Sequence, residues 1–195
     1  ELILVASYHR IIPSTIFNLA RFAINIHPSL LPKYKGATPI AWALSHGEEF
    51  TGLTAHFLSE HVDGGQIILQ KKIKIRKLET DGMLRKRLAS LLKTLIPKLT
   101  KIILTGKFDS AIKNIIGGNY FPKISEKIGI LRLTDPNFIN FYRALTPYPG
   151  AILKLKGELY LVTELQEKKF SDYNLSFSMK KKKYYIKIFP SNPCV

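Results

Sequence analysis

The chain has 195 residues, of which 46% are hydrophobic and 23% are charged, as in an ordinary globular protein. The sequence has no run of eighteen apolar residues, so it predicts no membrane span. It also has no charged segment followed by an apolar stretch and a small-residue cleavage site, so it predicts no export signal. The single cysteine, Cys194, cannot form an internal disulfide. This fits the reducing cytoplasm, where we expect the protein, although it fits other compartments too.

The formal net charge of +16 is strongly basic. A positive surface concentrates polyanions, and nucleic acid is the commonest of them. Abundant surface lysine without a polyanionic partner is an equally good explanation, because charge alone does not define a function. The densest basic cluster is the run of four lysines at residues 180–183.

The first half of the chain alternates strands and helices. Apolar periodicity and turn residues predict buried strands at 2–6 and 22–27, further strands at 51–57 and 66–75, and helices at 14–20, 39–46 and 81–105. Thr38 is the predicted N-cap of the second helix, and Gly106 ends the third. Such alternation predicts a doubly wound α/β layer. Because a domain rarely begins on a buried central strand, we expect further sequence upstream of Glu1.

The alternation of predicted strands and helices ends near Gly117. We predict a first domain at residues 1–117, a linker at 118–130 and a second domain at 131–195. The second domain would begin with a helix that ends near Leu145. Short apolar runs then predict strands at 151–156, 159–165, 174–179 and 184–189. Short strands separated by turn residues predict a small β-barrel or sandwich.

Asn25 and His27 end the second predicted strand. Strand alternation places residues two apart on one face, so both side chains project together from the carboxyl end, where ligands of open α/β sheets bind. An amide donor beside an imidazole suits a carbonyl oxygen that becomes an oxyanion. A buried asparagine and a core histidine would explain this pair equally well.

Two further segments add to this pair. The proline-bracketed loop Pro28-Ser29-Leu30-Leu31-Pro32 follows His27 directly, and we expect its two leucines to line a pocket. Asp63 precedes two glycines, and it is either an ordinary turn residue or a carboxylate that holds the imidazole tautomer and supports its protonated form.

These residues together resemble a known family. Asn25 to Pro32, Tyr34 and Gly36, Thr51-Gly52 and Val62-Asp63 are similar to the signature of the 10-formyltetrahydrofolate-dependent formyltransferases, and the resemblance covers residues 1–105. It implies a Rossmann-like catalytic domain, incomplete here because relatives carry their first strands and a Gly-rich acceptor loop further upstream.

The resemblance also implies roles for individual residues. Asn25 would donate to the formyl oxygen, His27 would stabilise the oxyanion or carry the proton, and Asp63 would orient His27 and accept a proton. The nucleophile would be the amine of the substrate. The co-substrate 10-formyltetrahydrofolate would contact residues of three loops, namely Tyr8, His9, Arg10, Ile11, Ser29, Leu30, Leu31, Pro32, Glu60, His61 and Val62. No metal is expected, because His9, His46, His56 and His61 lack zinc-ligand spacing and are interpreted as surface or packed residues.

The second domain bears on the acceptor. Tyr120 to Lys123, Gly129-Ile130 and Arg143 to Ala151 resemble the opening of the OB-like carboxyl-terminal barrel of the methionyl-tRNA formyltransferases. This favours initiator methionyl-tRNA as the partner, with phosphate contacts from Lys154, Lys156 and the lysines at 180–183. Residues 54–57 resemble the sugar and purine enzymes instead, so an amino-sugar nucleotide remains an alternative acceptor. A non-catalytic RNA-binding remnant is a third possibility. We expect a monomer.

Overall fold

The computed structural model describes residues 1–8, 10–108, 117–124 and 129–191. The strands are β1 (Leu2–Ala6), β2 (Phe22–His27), β3 (Lys35–Gly36), β4 (Phe50–Phe57), β5 (Ile67–Lys74), β6 (Tyr120–Phe121), β7 (Ala151–Leu155), β8 (Glu158–Gln166), β9 (Leu175–Met179) and β10 (Lys182–Pro190). The helices are α1 (Ser14–Phe17), α2 (Pro39–Ser45), α3 (Asp81–Thr105) and α4 (Phe138–Leu145).

The first sheet is mixed and has the order β1-β2-β4-β5. Strands β1 and β2 are parallel, whereas β4 is antiparallel to both β2 and β5. The predicted α/β layer is therefore built on a mixed sheet, in which only the first pair of strands is parallel. The antiparallel strand β4 has a consequence for the site, because it places Asn25 directly opposite His56.

Strand β1 differs from the buried central strand that its apolar sequence predicts. Leu2 and Leu4 are 46% and 40% exposed. In the described part of the chain, β1 has β2 on one side and no strand on the other, so its side chains lack neighbours there. Helix α1 is also shorter than predicted and ends at Phe17.

Helices α2 and α3 begin and end close to their predicted bounds. Pro39 occupies the first turn of α2, and Gly106 caps α3 in the left-handed region with φ of 64°. Thr38 stands at the N-cap position, but its hydroxyl makes no capping bond to the helix. It donates to the Pro122 carbonyl at 3.3 Å and accepts the Ile124 N–H at 3.0 Å.

Residues 117–124, most of which the sequence predicts to be linker, pack on the first part of the chain. Strand β6 pairs with β3, and the Trp42 indole N–H donates to the Pro122 carbonyl at 2.7 Å. Helix α4 packs mainly on α2, and Arg143 donates to the Glu79 carbonyl at 2.9 Å. Buried side chains from both parts form one continuous hydrophobic core. The predicted domain boundaries remain predictions.

The strands after residue 150 form a four-stranded antiparallel sheet with the order β7-β8-β10-β9. A closed OB-like barrel is not confirmed, because the described strands make one open sheet. The turn between β9 and β10 consists of Lys180 and Lys181, both in the left-handed region, and this turn exposes the four-lysine run. Among the described residues, no helix is long and apolar enough to cross a membrane.

Candidate active site

Asn25 and His27 lie at the carboxyl end of β2, beside β4. His27 is only 4% exposed, while Asn25 is partly buried. Their neighbours on the antiparallel strand are His56 opposite Asn25 and Thr54 opposite His27. The pairing of β2 with β4 therefore brings His27 and His56 close together at the carboxyl end of β2, with their ring centroids 6.5 Å apart.

Asp63 reaches this place from the turn that precedes β5. Its φ of 49° lies in the left-handed region, which aspartate tolerates better than most residues and which is enriched at constrained sites. Oδ2 of Asp63 accepts the backbone N–H of Gly36 at 2.8 Å. Gly36 has φ of 109°, and a Cβ there would collide with the Phe121 carbonyl oxygen, so this close approach requires glycine.

The two nitrogens of His27 have different partners. Nε2 lies 2.9 Å from the carbonyl oxygen of Tyr34, which fixes a proton on Nε2 because a carbonyl can only accept. Nδ1 lies 3.5 Å from Oδ1 of Asp63. Burial lowers the pKa of His27, although Asp63 and the Tyr34 carbonyl partly oppose this. The neutral ring therefore presents an unprotonated Nδ1 next to a carboxylate that would stabilise the imidazolium.

The Asp63 carboxylate is the centre of the cluster. Burial raises its pKa, but His56, His27 and the Gly36 N–H together outweigh burial, so the pKa lies below its ordinary value. Besides the contact with His27, Oδ1 lies 3.4 Å from the amide nitrogen of Asn25 and 3.6 Å from Nε2 of His56. Such a carboxylate is charged at neutral pH and orients the groups around it.

Hydrogen bonds from Thr54 and Gln70 hold the loop after His27. The Thr54 hydroxyl donates to the Ser29 carbonyl at 2.7 Å and accepts the Leu31 N–H at 3.2 Å. The Gln70 amide donates to the Leu31 carbonyl at 2.8 Å and to the Thr54 hydroxyl at 2.9 Å. Ser29 and Leu31 are buried in the protein interior, and the predicted role of this loop in lining a pocket stays a prediction. Leu30 and Pro32 are partly buried.

The other residues predicted to bind the co-substrate lie in two exposed loops. Tyr8 is 56% exposed and Ile11 82%. Arg10, Glu60, His61 and Val62 are also exposed. His9 lies outside the described residues. The structure therefore leaves these surfaces accessible, and their role in binding stays a prediction.

Two grooves in the described part of the chain lie away from the cluster. One of about 280 Å³ is lined by residues between Gly129 and Phe141, and one of about 200 Å³ lies among Lys77, Arg143 and Lys180. Neither is lined by Asn25, His27 or Asp63. The candidate site is identified by its converging polar groups. The described residues include no metal-binding group of three or more His, Cys, Asp or Glu side chains, and the prediction of no metal stays a prediction.

Sequence reasoning missed His56, which is 1% exposed and contacts both Asn25 and Asp63. The available signal was its spacing two residues from Thr54 on the same strand, which puts both on one face. The pairing of β4 with β2 was also needed, and the sequence does not give it. The backbone partners of the cluster, the Tyr34 carbonyl and the Gly36 N–H, were missed as well.

Comparison with known proteins gives the family. Residues 1–100 match the family model described as formyl transferase, and the chain belongs to this family. A methionyl-tRNA formyltransferase of Syntrophus aciditrophicus (strain SB) is 34% identical over 161 residues, which are 81% of this chain and 52% of that protein. The chain spans about half the length of the curated relatives it matches.

Solved structures agree with this fold. The methionyl-tRNA formyltransferase from Clostridium thermocellum superposes with a TM-score of 0.68 at 17% identity, covering 98% of this chain and 78% of that chain. The formyltransferase PseJ from Anoxybacillus kamchatkensis, in complex with UDP-4,6-dideoxy-4-formamido-L-AltNAc and tetrahydrofolate, superposes with a TM-score of 0.56 at 29% identity. This match covers 65% of this chain and 66% of that chain. The Rossmann-like α/β fold of the first part is thus that of the formyltransferases.

Proposed function

We propose that this chain belongs to an enzyme that transfers the formyl group of 10-formyltetrahydrofolate to the amine of a substrate, with the amino group of methionyl-tRNA as the acceptor. The observation that carries the proposal is the cluster of Asn25, His27 and Asp63. Its members come from two separate segments, and Asn25 and His27 each have a side-chain nitrogen within 3.5 Å of Oδ1 of Asp63. An amide donor, a base and a carboxylate are the groups that acyl transfer to an amine needs.

The proposed chemistry assigns a task to each group. The amine nitrogen bonds to the formyl carbon, the carbonyl oxygen becomes an oxyanion, and the carbon–nitrogen bond to the donor then breaks. Asn25 donates an N–H to the developing oxyanion. His27 takes the amine proton on Nδ1, its unprotonated nitrogen, and can return it to the leaving nitrogen. Asp63 stabilises the imidazolium in between.

The acceptor proposal rests on the relatives and on a basic surface. Curated relatives at 33–37% identity are named methionyl-tRNA formyltransferase. Lys154, Lys156 and the lysines at 180–183 are exposed on the second sheet and its turns. Lys183 and Lys187 lie over the rings of Tyr185 and Phe189 on the outer side of β10. Cations interleaved with aromatic rings suit phosphates and unstacked bases.

An amino-sugar nucleotide is the second candidate acceptor. The PseJ complex contains a formylated sugar nucleotide, and its protein is 29% identical to this chain. A sugar nucleotide carries only one pyrophosphate, so the lysine-rich surface would have no part in its binding. A non-catalytic RNA-binding role is the third candidate, and it predicts nucleic-acid binding without formyl transfer.

One experiment separates the three candidates. The protein is incubated with 10-formyltetrahydrofolate labelled in the formyl group and with either charged initiator tRNA or amino-sugar nucleotides. Label in the tRNA supports the proposal. Label only in the sugar replaces the acceptor, and binding of tRNA without transfer of label, together with no transfer to sugar, favours the non-catalytic role.

A further inference from the structure

His56 is a buried titratable group that the proposed mechanism does not use. It lies on β4 directly opposite Asn25 of β2, at the point where the β4–β5 register shifts between Ala55 and His56. Such an irregularity re-aims a side chain. At 1% exposure, the ring has no access to bulk water, so both of its nitrogens must find partners in the protein.

The partners fix the tautomer of His56. Nδ1 lies 2.8 Å from the Phe57 carbonyl oxygen, which can only accept, so the proton of the neutral ring is on Nδ1. Nε2 then carries a lone pair and lies 3.2 Å from the Asn25 amide nitrogen. With Nε2 as an acceptor, His56 makes no hydrogen bond to Asp63, whose Oδ1 lies 3.6 Å away, and only with Nε2 protonated would the ring donate to the carboxylate and lower its pKa. The donor nearest to Oδ1 on that side is then the Asn25 amide at 3.4 Å.

This arrangement decides how the amide of Asn25 is oriented. Its two N–H bonds face two acceptors, the lone pair of His56 and the carboxylate of Asp63. The reverse orientation would place the amide oxygen against both acceptors and would be repelled by both. The contact of the Asn25 amide nitrogen with Asp63, at 3.4 Å, is longer than its contact with His56, at 3.2 Å. A substrate oxygen can therefore replace Asp63 as the acceptor while the hydrogen bond to His56 still holds the amide.

We propose that His56 is a positioning residue for the formyl transfer proposed above. Its ring, with Nδ1 donating to the Phe57 carbonyl and Nε2 accepting, holds the Asn25 amide with one N–H turned towards the reacting oxygen. His27 is in the opposite tautomer, with its proton on Nε2 facing the Tyr34 carbonyl. The two histidines therefore have separate tasks: His27 can take a proton on Nδ1, and His56 accepts a hydrogen bond on Nε2.

The test combines two substitutions with a matched control. In His56→Gln, the side-chain oxygen can still accept from Asn25, whereas His56→Leu has no acceptor. Both variants lack the Nδ1–H that faces Phe57, so a difference between them reports only on the acceptor for Asn25. We expect kcat to fall about tenfold further in His56→Leu than in His56→Gln, the scale of one hydrogen bond, with little change in KM. His46→Gln, at an exposed histidine beside α2, should leave both constants unchanged.

Imidazole ¹⁵N NMR provides a readout that does not depend on activity. From their hydrogen-bond partners, we expect a protonated Nδ1 and an unprotonated Nε2 for His56, and the reverse for His27. The Asn25 side-chain amide signal should shift in His56→Leu and stay in place in His46→Gln. A protonated Nε2 on His56, or equal kcat in the Gln and Leu variants, would overturn the positioning role. Absence of formyl transfer by the wild-type protein would instead refute the proposed function, while the NMR result would still decide the tautomers.

Discussion

Nδ1 of His27 and Oδ1 of Asp63 lie 3.5 Å apart, with the two side chains 5% and 10% exposed. The other imidazole nitrogen is held by the Tyr34 carbonyl and the other carboxylate oxygen by the Gly36 N–H. Each group thus has one atom fixed by the backbone and one atom facing its partner. The pair is oriented before any substrate binds, and this is the arrangement that a proton-transferring site requires.

His27→Ala should lower kcat/KM for formyl transfer by about a hundredfold or more, the scale of losing a general base. Asn25→Ala should have an effect of the same order, because it removes the proposed oxyanion donor. Steady-state kinetics with labelled donor measures both. Circular dichroism should show intact folding. Near-normal turnover by His27→Ala would remove His27 from the mechanism.

Asp63→Asn tests the charge of the carboxylate. The folded-state pKa of Asp63 lies below its value of 3.8 in the unfolded chain, so ionised Asp63 stabilises the fold above about pH 4. This contribution is lost as the pH falls through the folded-state pKa. Urea unfolding between pH 2.5 and about 7 should show a stability advantage of the wild type over Asp63→Asn that shrinks in acid. An advantage that is constant with pH would mean that the carboxylate charge does not matter.

Gly36→Ala tests the backbone donor to Asp63. The new Cβ would meet the Phe121 carbonyl at a left-handed φ of 109°, so the N–H must move away from Oδ2. We expect a loss of more than about 2 kcal/mol of unfolding free energy, together with reduced activity. Gly106→Ala is the control, because its φ is also positive at 64° but nothing lies within 4 Å of the added carbon. Its cost should be about 1 kcal/mol, with activity unchanged.

The four lysines at 180–183 test the acceptor. If they bind tRNA phosphates, their joint change to glutamine should raise KM for tRNA. It should also flatten the salt dependence of binding, by about one unit of log–log slope for each phosphate that a lysine no longer neutralises. The folate KM should not change, because Asn25, His27 and Asp63 belong to the first sheet and its loops, away from the lysine turn of the second sheet.

The matched control for the lysine variant changes four exposed lysines of α3 to glutamine, namely Lys86, Lys93, Lys98 and Lys101. It changes the net charge by the same amount at a different place. Equal effects of the two quadruple variants would mean that only total charge matters. No tRNA binding by the wild type at low salt would instead favour the amino-sugar acceptor.

The sequence determined the local structure of this protein and identified three residues of its candidate site. Apolar runs and turn residues predicted β2, β4, β5, α2 and α3 close to their observed bounds, because these signals act over a few neighbouring residues. Asn25 and His27 could be placed on one strand face by alternation alone. The roles of Asn25, His27 and Asp63 came from the resemblance to the family.

Only the tertiary structure decided which groups meet. The antiparallel pairing of β4 with β2 brings His56 against Asn25, and strand pairing depends on contacts between distant segments that no local pattern encodes. The same holds for β1, whose apolar residues predicted a buried strand although they lie half exposed beside a single neighbouring strand in the described chain. Apolar residues such as leucine and isoleucine favour burial, but their exposed fraction depends on which other elements pack against them. A local sequence pattern does not contain that information.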